Sequence, residues 1–128
     1  MADYAKLDIT GVYSKSSTYE PRKVSFSPDS YEVTPDEYIH AELQADISAG
    51  TTLTTNILSS ATLLVVKNND TTNYVTATFD CAGMGGTNTS VRIHAGGVFV
   101  TTDFTVAENL NLAANSAPCE CEVLIVGT

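Results

Sequence analysis

The chain predicts an all-β fold: an antiparallel β-sandwich, jelly-roll-like, with an extended N-terminal arm. Three observations predict it. Apolar and polar residues alternate with period two over several stretches, as on strands with one buried face. Seven or eight such stretches are separated by turn residues at spacings of about 8–12. No segment joins helical caps to a 3.6-residue period sustained over three turns. With 128 residues the chain fits one folding unit able to bury roughly two-thirds of its unfolded surface.

Residues 1–37 are expected to form the arm and residues 38–128 the sandwich. Pro21, Pro28 and Pro35 punctuate a polar stretch between Tyr13 and Glu37. Each proline removes a ladder donor and biases its predecessor toward extended backbone. One short edge strand, Arg22–Phe26, is expected within it. From Tyr38 the alternation begins. Ile39, Ala41, Leu43, Ala45 and Ile47 share one face, with His40, Glu42, Gln44 and Asp46 on the other. Ala, Glu, Leu and Gln favour helix, but strict alternation over nine residues decides for strand. Ser48-Ala49-Gly50 turns the chain, and the Thr-rich stretch from Thr51 to Ile57 continues it as another strand or extended segment.

Ala61–Lys67 is a short apolar run, expected to be buried on both sides or under another element. Asn68–Asn73 is a turn of residues that bond their own backbone. Val75, Ala77 and Phe79 then alternate with Thr76, Thr78 and Asp80, so 61–67 and 74–80 read as a hairpin. A glycine-rich loop, 82–88, follows. Val91–His94 and Val98–Thr101 flank the turn Ala95-Gly96-Gly97, and Leu110–Ala113 is a brief strand or bend. One helical turn at most fits 103–109. In the last strand Cys119, Cys121, Val123 and Ile125 face one way, with Glu120 and Glu122 opposite. Leu124 and Val126 then make both faces apolar, as where an outer strand end runs into a covered centre.

Six Lys and Arg against fifteen Asp and Glu leave a net charge of −9. Such a chain repels a phosphate backbone and an anionic membrane surface, so neither nucleic acid nor membrane is an expected partner. The start of the chain lacks a basic region followed by an apolar core, and no apolar run approaches the roughly 18 residues of a membrane span. Assembly in a reducing cytoplasm is expected. Three cysteines, Cys81, Cys119 and Cys121, are an odd number for a disulfide framework. Cys119 and Cys121, two apart on a strand, would have Cα atoms about 6.5–7 Å apart, at or beyond the bridging limit. Both thiols are expected in the core as small hydrophobes.

No chemistry-bearing motif stands out. The 83–86 glycines lack the Lys-Ser/Thr of a phosphate loop and the Rossmann spacing. Cys81, Cys119, Cys121, His40 and His94 lack the paired spacing of a zinc site. His40 with Glu42, and Arg92 with His94, read as solvated strand faces, without a nucleophile on a sharp turn. No catalytic residue, metal or cofactor is expected. The eighteen threonines carry another signal. Thr51–Thr55, Thr76, Thr78, Thr101 and Thr102 are expected on wet faces with little charge to guard them, and Lys67 is the only lysine after residue 23. Strands so lightly defended fit a protein covered by neighbours.

The order from Ala61–Asn68 through Asn73-Tyr74-Val75 and Val91–Gly97 to the closing Glu122–Thr128 resembles the small β-sandwich virion proteins of tailed bacteriophages. These are capsid cement (decoration) proteins and minor neck or tail components. The likeness spans roughly residues 60–128 and is one of texture. It implies a non-enzymatic structural protein of the virion that stabilises the head by binding the major capsid protein. Neighbouring copies of itself, as a homotrimer on local three-fold axes, are the other implied partner. Tyr13, Tyr19, Arg22 and Tyr31 of the arm, and Met84 at the loop tip, are the expected partner contacts. A receptor- or glycan-binding module of the same fold is the alternative. Against it, Trp is absent and five of six tyrosines precede residue 39. A cupin-like enzyme would need more converging ligands than His40, Glu42 and His94 supply.

Overall fold

A computed structural model describes residues 9–13, 22–26, 37–55, 58–80, 88–105 and 109–127. All regular structure among them is strand, in the order β1 (Ile9–Tyr13), β2 (Arg22–Phe26), β3 (Glu37–Ala45), β4 (Thr51–Leu53), β5 (Ala61–Asn68), β6 (Val75–Asp80), β7 (Asn88–Ile93), β8 (Val98–Thr101), β9 (Leu110–Ala114) and β10 (Cys119–Gly127). The chain separates into two compact units, Met1–Thr34 and Pro35–Thr128. In the first, β1 and β2 pair antiparallel, with Ile9 opposite Phe26 and Tyr13 opposite Arg22. The expected edge strand therefore exists, but it has a partner. This part of the arm is a two-stranded ribbon rather than a single extended segment.

In the second unit two four-stranded antiparallel sheets form, ordered β3-β10-β5-β8 and β4-β9-β6-β7. The pairings nest: β3 with β10, β4 with β9, β5 with β8 and β6 with β7. The chain is thus one long hairpin, tip at β6–β7, rolled so that successive strand pairs alternate between sheets. That is the jelly-roll arrangement of two Greek keys.

The alternation built each inner face. Leu64, Val66, Val123 and Ile125 point inward from one sheet, and Val75, Ala77, Phe79, Leu110 and Leu112 from the other, all at most 2% exposed. They form one core with Cys119 and Cys121. Burying each large apolar side chain contributes about 1.5–3 kcal/mol, so this layer outweighs any surface ion pair. Phe79 of β6 and Phe99 of β8 tie the two sheets together, ring centroids 5.5 Å apart. Gly50, at φ +73°, closes the β3–β4 turn where a Cβ would lie 2.7 Å from the Leu112 carbonyl oxygen.

Several expectations need correction. β5 and β6 are not a hairpin: they lie in different sheets, β5 between β10 and β8, β6 between β9 and β7. The Asn68–Asn73 turn carries the chain across the sandwich. Asn68, fully buried, holds that crossing. Its Nδ2 donates to the carbonyls of Asn73, Ile93 and His94, and its Oδ1 accepts from the Asp70 N–H. Ile47 leaves the alternation and is 44% exposed, because β3 ends at Ala45 and Ser48 takes φ 65°. The strand after it is only Thr51–Leu53, and Thr55 is buried. Thr101 pairs with inward-facing Leu64, so it lies on the inner register rather than a wet face. Its Oγ1 accepts from the Asp103 N–H. Of 103–109, Thr105 forms a bridge with Asp80, and 106–108 lie outside the described residues. The brief strand expected at Leu110–Ala113 is present as Leu110–Ala114.

Candidate interaction surface

The two outer faces of the sandwich differ in chemistry. On the β4-β9-β6-β7 sheet the outward row Thr52–Asn111–Thr78–Ser90 crosses all four strands. Asn111 Nδ2 donates to Thr52 Oγ1 at 3.2 Å and to the Ala49 carbonyl at 3.1 Å; Thr78 Oγ1 lies 3.0 Å from Ser90 Oγ. Above that row, Arg92 stacks on Tyr74, its guanidinium carbon 4.1 Å from the ring centroid. The side chains of this row bond one another, which makes this face polar.

The outer face of the β3-β10-β5-β8 sheet is built otherwise. Inward parity at Cys121, Val123 and Ile125 fixes Glu122, Leu124 and Val126 outward. The register then sets three rows across the sheet. The first is Glu42–Glu122–Lys67–Val98, the second His40–Leu124–Val65–Val100, and the third Tyr38–Val126–Leu63. Apolar residues dominate the second and third. Tyr38 is 69% and Val98 57% exposed. Leu63 at the far end is buried. His40, Val65, Lys67, Val98, Glu122 and Leu124 line an open depression of about 280 Å³.

Charge is confined to one end of this face. His40 Nε2 lies 2.8 Å from Glu122 Oε1. A carboxylate only accepts, so the ring donates. Lys67 sits directly opposite Glu122 on β5 and is exposed, yet no carboxylate pairs with it among the described residues.

Of the residues expected at a partner surface, Tyr13 and Arg22 come together as opposite positions of the β1–β2 ribbon. Tyr19, Tyr31, Met84 and the 82–87 part of the glycine-rich loop lie outside the described residues, as does Cys81. Cys119 and Cys121 take the expected place in the core, 0% and 1% exposed. Burial, then the neighbouring Cys119 sulfur and the carboxylates of Glu120 and Asp70, push the Cys121 thiol up to about 11. No group of three or more His, Cys, Asp or Glu converges among the described residues. The surface that sequence reasoning missed is the apolar outer face. Its signal was in the sequence: runs such as Leu63–Val66, Val98–Val100 and Val123–Val126 are apolar at both parities.

No helix among the described residues is long and apolar enough to cross a membrane. Set against protein families, curated proteins and solved structures, the chain matches none, and the unequal outer faces of the sandwich remain its most informative functional feature.

Proposed function

We propose that this protein is a non-enzymatic structural component of a tailed-phage virion. In this reading it is a capsid cement protein, assembled in the host cytoplasm, that stabilises the head by binding the major capsid protein and copies of itself. The observation that supports the reading is the contrast between outer faces. One is a polar row whose side chains bond one another, the other an apolar sheet face with Tyr38 and Val98 standing out of it. A contiguous apolar surface on a folded domain marks contact with another macromolecule. The arm of residues 1–37 and one edge of the sandwich grip the capsid protein. Contacts of about 1,500 Å² suffice when symmetry repeats them.

The test is a particle-binding assay with heads stripped of accessory proteins. The full chain is expected to co-sediment with the heads and raise their disruption temperature. A chain lacking residues 1–30 is expected to lose both effects; unchanged binding by the truncated chain overturns the reading. Exposed Tyr38 favours one alternative, a tail or receptor-binding module that stacks a sugar on that ring. A glycan array on the isolated protein, repeated with Tyr38→Ala, decides it.

A further inference from the structure

We propose that the outer face of the β3-β10-β5-β8 sheet is the contact between two copies of this chain, related by a two-fold axis parallel to the strands and centred between β10 and β5. The strand order carries the argument. A two-fold axis along the strands exchanges left and right, so β10 lies over the second copy's β5, and β3 over its β8. Rows stay level. Glu122 then faces the second copy's Lys67, and Lys67 faces the second copy's Glu122. In the next row Leu124 meets Val65 of the other copy, twice, at the centre of the contact. His40 and Glu42 at one margin cover Val100 and Val98 at the other. The two inner strands of this face are therefore their own complement. The contact also brings a carboxylate to Lys67, which has none paired with it among the described residues.

The area is small. Four strands of nine, nine, eight and four residues, spaced about 4.8 Å apart, give a face of roughly 480 Å² per copy, hence about 950 Å² buried over both copies, in the range of weak contacts. A reversible dimer follows. Two chains of charge −9 repel at long range, and physiological salt screens that repulsion beyond about 8 Å. Such a face closes at two copies; the trimer implied by the phage resemblance needs a contact between two different patches.

The experiment is sedimentation equilibrium on the full chain with charge-reversal variants, and it is independent of any particle-binding result. Wild type is expected to move from monomer to dimer across the micromolar range. Lys67→Glu alone and Glu122→Lys alone each place like charges together in both symmetry-related pairs beside the axis and are expected to weaken dimerisation about tenfold or more. Mixing the two variants is expected to restore a heterodimer, because every facing pair is then opposite in sign. Within one chain, mixing changes nothing, so rescue separates contact between copies from contact within a copy. Leu124→Lys, with circular dichroism as the check on folding, is expected to leave a folded monomer. A wild type that stays monomeric, a trimer, or a dimer indifferent to these changes overturns the proposal.

Discussion

His40 and Glu122 join β3 to β10 on the outer face, Nε2 2.8 Å from Oε1, and so draw the carboxylate away from Lys67 directly across on β5. Both partners are well exposed, at 48% and 39% of their side-chain surface. A pair in that setting contributes little to stability. His40→Ala is expected to change unfolding free energy by less than about 1 kcal/mol in urea titrations. A loss of several kcal/mol would show that the pair is a structural clasp.

Asn68 is the opposite case. Asn68→Ala removes the side-chain donor from the Asn73 and Ile93 carbonyls and the acceptor from the Asp70 N–H, while the His94 carbonyl keeps the Gly97 N–H. The expected cost is about 3 kcal/mol, read from the urea midpoint at unchanged slope. Asn68→Asp is expected to cost more, since an ionised carboxylate can replace none of the three donations and is itself buried. An aspartate variant as stable as wild type would show that these donations do not hold the crossing.

Asp70 gives the β5–β6 crossing an acid dependence. The N–H of Asn73 first, then that of Thr72, hold its carboxyl below the ordinary aspartate value. The folded chain therefore binds fewer protons at this carboxyl than the unfolded chain as pH falls toward 4. Its stabilising contribution is complete above about pH 4 and is lost as pH drops through the lower folded value. Urea midpoints measured from pH 6 to pH 2.5 are expected to show this fall, and Asp70→Asn to flatten part of it. Identical curves for the two proteins would assign the acid dependence to other carboxylates.

The Cys121 thiol makes the complementary alkaline statement. Burial raises it to about 11, whereas the unfolded chain releases this proton near 8.5. Stability is expected to decline between these two values, because there the unfolded state binds fewer protons than the fold. Native protein at pH 8 is expected to show Cys119 and Cys121 unlabelled by iodoacetamide, with labelling of both at the rate of unfolding. Mass spectrometry of the peptide carrying both cysteines reads the outcome. Fast labelling of either thiol in the native state would contradict its place in the core.

What the sequence made legible was parity, and what it hid was pairing. The alternation at Val75-Ala77-Phe79 and at Cys119-Cys121-Val123-Ile125 gave the inner faces directly, because a strand with one dry side repeats every two residues. The turn at Asn68–Asn73 could not say whether its strands pair or part. Asx-type hydrogen bonding closes the backbone locally in either case, and the partner of β5 is β10, some sixty residues on. The candidate surface was hidden for a related reason. Leu124 and Val65 read as covered on both faces; the hydrogen bonds of β10 and β5 are indeed covered, but their outward side chains lie on an open face. Ile47 was misplaced where a strand ends, since parity carries no information past the last ladder residue; Thr101 follows the parity of Phe99 and lies on the inner register.

The nested pairing also fixes the order in which this domain can assemble. Among the described strands of this domain only β6 and β7 are neighbours in both sequence and space, so zippering starts most cheaply at that tip. Each later pair closes a larger loop, ending with Glu37 against Gly127, ninety positions apart. Folding is accordingly expected on the slow, millisecond-to-second scale of non-local β proteins. Until β10 wedges itself between β3 and β5, both of those strands present open ladders to any passing chain. The interval before that last insertion is when the molecule is most exposed to misassociation.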